Sequence, residues 1–272
     1  MRTPVVQAGL GGGLSRHELA AAVADAGGLG TIAVNGAVAI ERELRAARKL
    51  TDGPLAVNVL LPFARRSWFE AAAGADAVVT FWGRPRRRTA GAWIHQCGSL
   101  EEIRTAHAAG ADALIVQGVE AGGHVRGREP ALELLAKARA ALPKDYPLLL
   151  AGGIAERADV ERALGAGASA AVAGTRFLLA GESRAHPEYK RRLLDADETI
   201  LTELFGAGWP APHRVVPNAA TERGSKEPLP PLAATDDGPA ELVDDGPLYA
   251  GKTVARIDEL RPAAEIVGDL TP

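Results

Sequence analysis

Ala113-Leu-Ile-Val-Gln-Gly-Val-Glu-Ala-Gly-Gly-His-Val-Arg-Gly127 divides into two halves of opposite character. Ala113 to Gln117 is a short apolar run of the kind that becomes a strand buried on both faces. Gly118, Gly122, Gly123 and Gly127 then form a loop that can take backbone angles closed to other residues. That loop carries one imidazole, His124. A buried strand running into a glycine loop with a titratable group is how a barrel enzyme presents chemistry. The same pattern also suits a plain strand-to-helix turn with an incidental histidine.

Working outward, the strand is entered through Gly110-Ala111-Asp112, a glycine stop followed by small residues. The same entry recurs at Gly74-Ala75-Asp76 and at Gly165-Ala166-Gly167. Glycine there ends the preceding helix in a left-handed conformation. The full pattern predicts strands over Val5 to Ala8, Leu29 to Val34, Leu55 to Leu60, Ala77 to Trp82, Ala92 to Cys97, Ala113 to Gln117, Pro147 to Gly152 and Ala168 to Gly174. Helices are expected between them. Ser15 with Glu18, and Ser99 with Glu102, have the spacing of capping boxes. The connection Gly83 to Gly91 leaves room for at most about two helical turns. Alternating helices and buried strands imply a parallel sheet. Eight copies in about 200 residues favour a closed α/β (β/α)8 TIM barrel over an open sheet. The barrel is expected over residues 1–198. An irregular C-terminal extension of the same domain, 199–272, follows. Within it, 219–246 is Pro-, Asp- and Glu-rich and reads either as a lid over the barrel mouth or as a mobile segment.

Composition narrows the function. The chain has 272 residues, 47% hydrophobic and 24% charged, with a net charge of −3, so no basic field invites nucleic acid or an anionic membrane. A single cysteine, Cys97, rules out an intrachain disulfide and a cysteine-based zinc cluster. No apolar run is long enough to span a bilayer and the start has no secretory pattern, so a cytoplasmic location is expected. The reading allows a homodimer.

In a barrel, the loops that follow the strands face one end, and that end holds the site. Here they supply Gln7 to Gly13, Asn58 with Leu60, Phe81 to Gly83, Gln96-Cys97, Gln117 to His124, Ala151 to Ile154 and Ala173 to Arg176. The last two are glycine loops after consecutive strands, where barrels commonly hold phosphate on backbone N–H groups. Asn58, Gln96, Gln117 and His124 are neutral polar groups. They suit a heterocycle rich in carbonyls and ring nitrogens better than a metal, and none is expected. No strand end offers a Schiff-base lysine, and no Gly-x-Ser-x-Gly elbow is present. Cys97 reads as a small buried residue. His95 is expected in the core or barrel interior. His213 could reach the mouth if the tail folds back. The Arg84 to Arg88 cluster reads as a solvated turn before it reads as a phosphate patch.

Gln117-Gly-Val-Glu-Ala-Gly-Gly-His124, Ala151-Gly-Gly-Ile154 and Gly174-Thr-Arg-Phe177, in that order, resemble the nitronate monooxygenase family. The likeness covers residues 3 to 196. It implies an FMN-binding barrel that oxidises alkyl nitronates, or the parent nitroalkanes, with O2 to a carbonyl compound and nitrite. By that resemblance Gly152, Gly153, Gly174 and Thr175 hold the FMN phosphate. Ala8, Gly9 and Leu10 lie along the flavin, with Asn58, Gln96 and Gln117 near it, and Gly122 and Gly123 shape the adjoining loop. His124 matches the catalytic base toward neutral nitroalkanes. The chain has Gly9-Leu10 where the family often has Pro-Met, and Gln96 where lysine is frequent. Tyr249-Ala-Gly-Lys252 is a changed form of a Trp-Ala-Gly-Gln-like motif. Two alternatives keep the barrel: an FMN-dependent NAD(P)H:quinone or enoyl reductase, and a non-catalytic barrel that binds a phosphorylated ligand.

Overall fold

The computed structural model describes residues 1–89, 91–209 and 211–272; Ala90, in the Gly83 to Gly91 connection, and Pro210, in the segment before His213, lie outside the described residues. The apolar runs form β1 (Val5–Gln7), β2 (Gly30–Ile32), β3 (Leu55–Leu60), β4 (Ala77–Phe81), β5 (Ala92–Cys97) and β6 (Ala113–Gln117). Next come a two-residue strand, β7 (Gly123–His124), then β8 (Leu148–Ala151) and β9 (Ala170–Ala173). Leaving out β7, the other eight lie in the order β1-β9-β8-β6-β5-β4-β3-β2, each parallel to its neighbour. This is a nearly closed (β/α)8 barrel. The seam between β1 and β2 is closed by a parallel bridge from Val6 to Leu29. The Gln7 side chain reinforces it by accepting the Thr31 N–H at 2.7 Å.

Why the barrel closes on itself is visible in the alternation along each strand. Val6, Ala56, Val79, Ile94, Ile115, Leu149 and Val172 share one buried cluster inside the barrel. The intervening residues, such as Val5, Trp93, Leu114 and Leu150, pack outward under the helices. With a period of two, the inward positions one step nearer the strand ends are Ala8, Asn58, Phe81, Gln96, Gln117 and Gly174. Most of the polar positions are therefore set by the same pattern that builds the core. His95 falls on the outward face, not inside the barrel. Its Nδ1 lies 2.7 Å from the Thr80 hydroxyl, which also accepts the Trp93 indole N–H at 2.7 Å.

Several local expectations differ from the structure. The first barrel helix is His17–Asp25, and Ser15 does not cap it. The Ser15 hydroxyl instead accepts the Leu10 N–H at 3.2 Å, holding the loop after β1. Ser99 does cap its helix, but the Glu102 carboxylate accepts from Gly98 rather than from Ser99. The second helix ends at Ala47, which leaves Leu50 exposed. Between β4 and β5 no helix occurs among the described residues. Arg87 and Arg88 cover that side, over the rings of Trp93 and Phe69 respectively. Arg87 also pairs with Asp112 at 2.7 Å, so part of the arginine cluster is structural.

The extension is regular where it meets the barrel. It contributes β10 (Ile200–Thr202), β11 (His213–Val216) and β12 (Leu248–Tyr249), and β11 pairs antiparallel with β10, β12 and β7. The segment 219–246 contains helices Ala219–Arg223 and Leu242–Asp245 and buries Ala233, Ala234 and Val243. Exposed ion pairs fasten it down: Asp237 to Arg16 at 2.7 Å, Asp236 to Arg184 at 2.9 Å and Asp244 to Arg192 at 2.8 Å. The last helix, Ala263–Leu270, starts after Pro262 and packs through Ile266 and Val267, while Leu260 stays exposed.

Candidate active site

The loops after β8 and β9 form one side of the barrel mouth. Gly152 and Gly153 have φ of +114° and +77°, a region that side chains rarely adopt. This conformation directs the chain so that two N–H groups stay free. Ala155 and Glu156 donate to the Asp159 carboxylate at 2.8 and 3.0 Å. The N–H groups of Gly153 and Ile154 make no hydrogen bond among the described residues. After β9, Gly174 is the N-cap of the short helix Thr175–Leu178, whose Thr175 and Arg176 N–H groups are likewise free. Free amides from two adjacent strand ends are a donor set for a phosphate. The Thr175 hydroxyl, by contrast, is engaged: it accepts the Gly251 N–H at 2.8 Å. The Glu120 carboxylate lies beside Gly152 but is tied to the Ala131 N–H at 3.0 Å, at a helix start.

The opposite wall carries the amides. Asn58 and Gln96 are half-buried, face inward, and make no side-chain hydrogen bond among the described residues. Gly9 is required there, because a Cβ would sit 2.5 Å from the Asn58 Cβ. Ala8 joins this wall to the β9 side, with its N–H bound to Ala173 at 2.9 Å. Leu10 is buried, and its N–H is held by Ser15. Gln117 differs from the other amides. Its side chain donates to the His124 carbonyl at 2.9 Å and accepts the Arg126 N–H at 2.9 Å. Both ends of that amide hold the His124 loop.

His124 belongs to a separate construction. Gly122 packs so closely on the extension that a Cβ would lie 2.6 Å from the Ala250 carbonyl carbon and the Gly251 nitrogen. Gly123, with φ +70°, and His124 then pair with Arg214 and His213 of β11. The His124 ring is stacked on Trp209 with centroids 3.8 Å apart and lies 4.2 Å from His213 and 5.6 Å from Tyr249. Its Nε2 is sealed from solvent and has no hydrogen-bond partner. Burial pushes the His124 imidazole well below its usual range, so it stands neutral at pH 7; His213 lowers it further only when it is itself protonated. Burial lowers His213 to about 4 in the same way, against a weak opposing pull from the Ala211 backbone.

Sequence reasoning counted Trp82 among the strand-end loops without giving it a role, and left Trp209 and Tyr249 out of the site. Trp82 follows β4 with φ +60°, the only positive φ outside glycine among the described residues. Such a conformation in a bulky residue costs about 1–3 kcal/mol and is held by its surroundings. Its ring meets Trp209 edge-on at 5.1 Å and lies under the Arg126 guanidinium at 4.5 Å. An aromatic next to a glycine at a strand end was the available signal for Trp82. Tyr249 had its place in the changed Tyr249-Ala-Gly-Lys252 motif, and Trp209 had no signal. Cys97 is fully buried, and burial raises its thiol well above the usual range, which leaves it unreactive. Among the described residues one group, His17, Glu18 and Glu43, brings three metal-capable atoms within 4.8 Å of one another. Two of the three are engaged with each other or with Arg42, His17 to Glu43 at 2.6 Å and Arg42 to Glu43 at 2.9 Å, while Glu18 Oε2 has no hydrogen-bond partner among the described residues.

Free amides at the ends of β8 and β9 and a half-buried, neutral imidazole on β7 are the chemical groups this site presents. A family model described as nitronate monooxygenase matches residues 1–82 and 84–272, interrupted where the β4–β5 connection is short. A nitronate monooxygenase of Pseudomonas aeruginosa is 32% identical, covering 99% of this chain and 95% of that protein. Among solved structures, FabK from Thermotoga maritima superposes with a TM-score of 0.87 at 28% identity, covering 99% of this chain and 92% of its own. The nitroalkane oxidase of Streptomyces ansochromogenes gives 0.82 at 30% identity, covering 98% and 94%. The chain belongs to the nitronate monooxygenase family and is a flavin-dependent oxidoreductase. No described helix is long and apolar enough to cross a membrane.

Proposed function

We propose that the chain oxidises alkyl nitronates with O2 to a carbonyl compound and nitrite, and that its flavin is FMN. The observation that carries the reading is the pairing of free amides at Gly153, Ile154, Thr175 and Arg176 with the half-buried, neutral imidazole of His124. Gly152, Gly153, Gly174 and the Thr175 backbone would hold the phosphate. Ala8, Gly9, Leu10, Asn58 and Gln96 would line the ring system, with the two free amides as its hydrogen-bonding groups. Bound FMN supplies the electron acceptor for the nitronate and the route from there to O2. His124, kept neutral by burial, takes the α-proton when the substrate arrives as a neutral nitroalkane. Gln117, Gly122 and Gly123 position its loop. The aromatic wall of Trp209, Trp82 and Tyr249 excludes water from that proton. We infer further that residues 199–272 fold with the barrel as one domain, because β11 completes the His124 loop. The reading includes a cytoplasmic enzyme and allows a homodimer, which gel filtration tests.

Two measurements test the activity. Flavin released by heating should be FMN by mass. Ethyl nitronate should drive stoichiometric O2 uptake and nitrite release. The likeness to FabK keeps reductase chemistry as the second reading. Rapid anaerobic bleaching of the flavin by NADH, without nitrite from nitronate in air, would replace the first reading with the second.

A further inference from the structure

A buried histidine that acts as a base ordinarily has an acceptor on its other ring nitrogen, which steadies the imidazolium after proton uptake. His124 has no such acceptor. No carboxylate hydrogen-bonds its ring among the described residues, and Nε2 is sealed without a partner. The nearest titratable side chain is a second imidazole. His213 is fully buried, directly opposite His124 in the β7–β11 register, and both of its ring nitrogens lack a well-formed hydrogen bond. Two unpartnered imidazoles at 4.2 Å, enclosed by aromatic side chains, are too costly an arrangement to serve packing alone.

We infer that His213 is the proton partner of His124, accepting a hydrogen bond from the His124 imidazolium once the substrate proton has been taken. The inference rests on the reading of His124 as the base. In the step, the α-carbon–hydrogen bond of the nitroalkane breaks. Its electron pair forms the carbon–nitrogen double bond of the nitronate while a nitro oxygen takes the negative charge. The proton makes a new N–H bond on one ring nitrogen of His124. The N–H on the other nitrogen then donates to a neutral nitrogen of His213, and no net proton passes to it. The rings are tilted by 59° and are not hydrogen-bonded to each other at rest. One ring must therefore turn, and because His213 has no well-formed hydrogen bond, turning it breaks none.

The surroundings leave His213 as the group placed for this task. Phe205 and Trp209 face it with ring edges, and Tyr249 stacks at 6.0 Å with its hydroxyl directed to the Pro231 carbonyl. Among the described residues, the Ala211 backbone is the group that pulls its pKa upward. Arg214, the next residue on β11, sends its guanidinium to the Val119 carbonyl at 3.0 Å. Arg126, beyond His124, is paired with Glu102. The charged groups on the neighbouring elements are thus engaged elsewhere.

The test uses His213→Phe, which keeps the aromatic packing, and His213→Gln, which restores an acceptor. In the holoenzyme, kcat/KM for nitroethane should fall about tenfold in His213→Phe, because a less stabilised conjugate acid makes a weaker base. The midpoint of its rise with pH should move to lower pH. Turnover of preformed ethyl nitronate should stay within about twofold, and His213→Gln should recover part of the loss. Imidazole NMR titration of His124 in both variants gives the same shift without turnover. A midpoint unchanged or moved upward, or an equal loss on both substrates, would overturn the inference. His124→Asn keeps the two ideas separable: an equal loss on both substrates in that variant removes the base reading itself.

Discussion

The two sides of the barrel mouth are made in different ways. At β8 and β9 the site is backbone: two left-handed glycines and four free N–H groups set by the chain's own local geometry. At β7 it is a set of side chains brought in from 85 to 125 residues away, with His124 clasped by Trp209, His213 and Tyr249. One side is stiff because it is local. The other exists only while the extension is docked. Cofactor binding and proton abstraction should therefore respond to different substitutions.

The largest expected separation comes from His124→Asn. Turnover of neutral nitroethane should drop by about 10²–10⁴-fold, the usual contribution of a general base. FMN affinity and turnover of preformed ethyl nitronate should change little. Parallel steady-state assays on the two substrates measure the ratio, and an unchanged ratio breaks the division of labour.

Gly122→Ala attacks the clasp. Its Cβ would lie 2.6 Å from the Ala250–Gly251 backbone, which is too close for either chain to keep its place. Overpacking of this kind costs about 1–3 kcal/mol. Thermal melting should show that loss together with reduced nitroethane turnover, while bound FMN stays near stoichiometric. A parallel loss of FMN would mean that the extension supports both sides.

Gly153→Ala is the converse. A side chain at φ +77° costs about 1–2 kcal/mol; the free loop relieves that strain by leaving this conformation, and restoring it on binding FMN costs roughly tenfold in affinity. Titration of apo-protein with FMN should show that weakening, with the nitroethane-to-nitronate ratio unaltered.

The smallest effect concerns how the extension is fastened. Hydrogen bonds from Arg16 and then Thr235 hold the Asp237 carboxyl down to about 2. A depressed carboxylate stabilises the fold above its unfolded value of about 4, and that contribution disappears as the pH falls through about 2. The pair is half-exposed, so it is worth well under about 1 kcal/mol. Asp237→Asn should lower the melting temperature slightly at pH 7 and remove part of the acid sensitivity below pH 4. Tryptophan fluorescence from Trp209 should report the loosening before the barrel melts.

This contrast also explains what could be read in advance. Ala113–Gln117 and its seven companions announce themselves because strands buried on both faces must be apolar and glycine must end the helices before them. The inward polar positions Asn58, Gln96 and Gln117 follow from period-two alternation. Ser15 was misread because a serine before a helix can bind either the helix or the loop it leaves, and here Leu10 wins. His95 was expected in the core or the barrel interior, and it lies in the core, on the outward face of its strand. Gln117 was expected near the flavin, and the structure adds that its amide is engaged by the His124 loop. That requires knowing where the loop returns.

By itself, the sequence determined the barrel, its glycine loops and the residue types at the strand ends, since these depend on neighbours within a few positions. Only the tertiary structure decided that a neutral His124 is sealed against Trp209 and His213. The strand that carries His213 reaches β7 by a long-range pairing, and no local pattern in either segment encodes which partner it will meet.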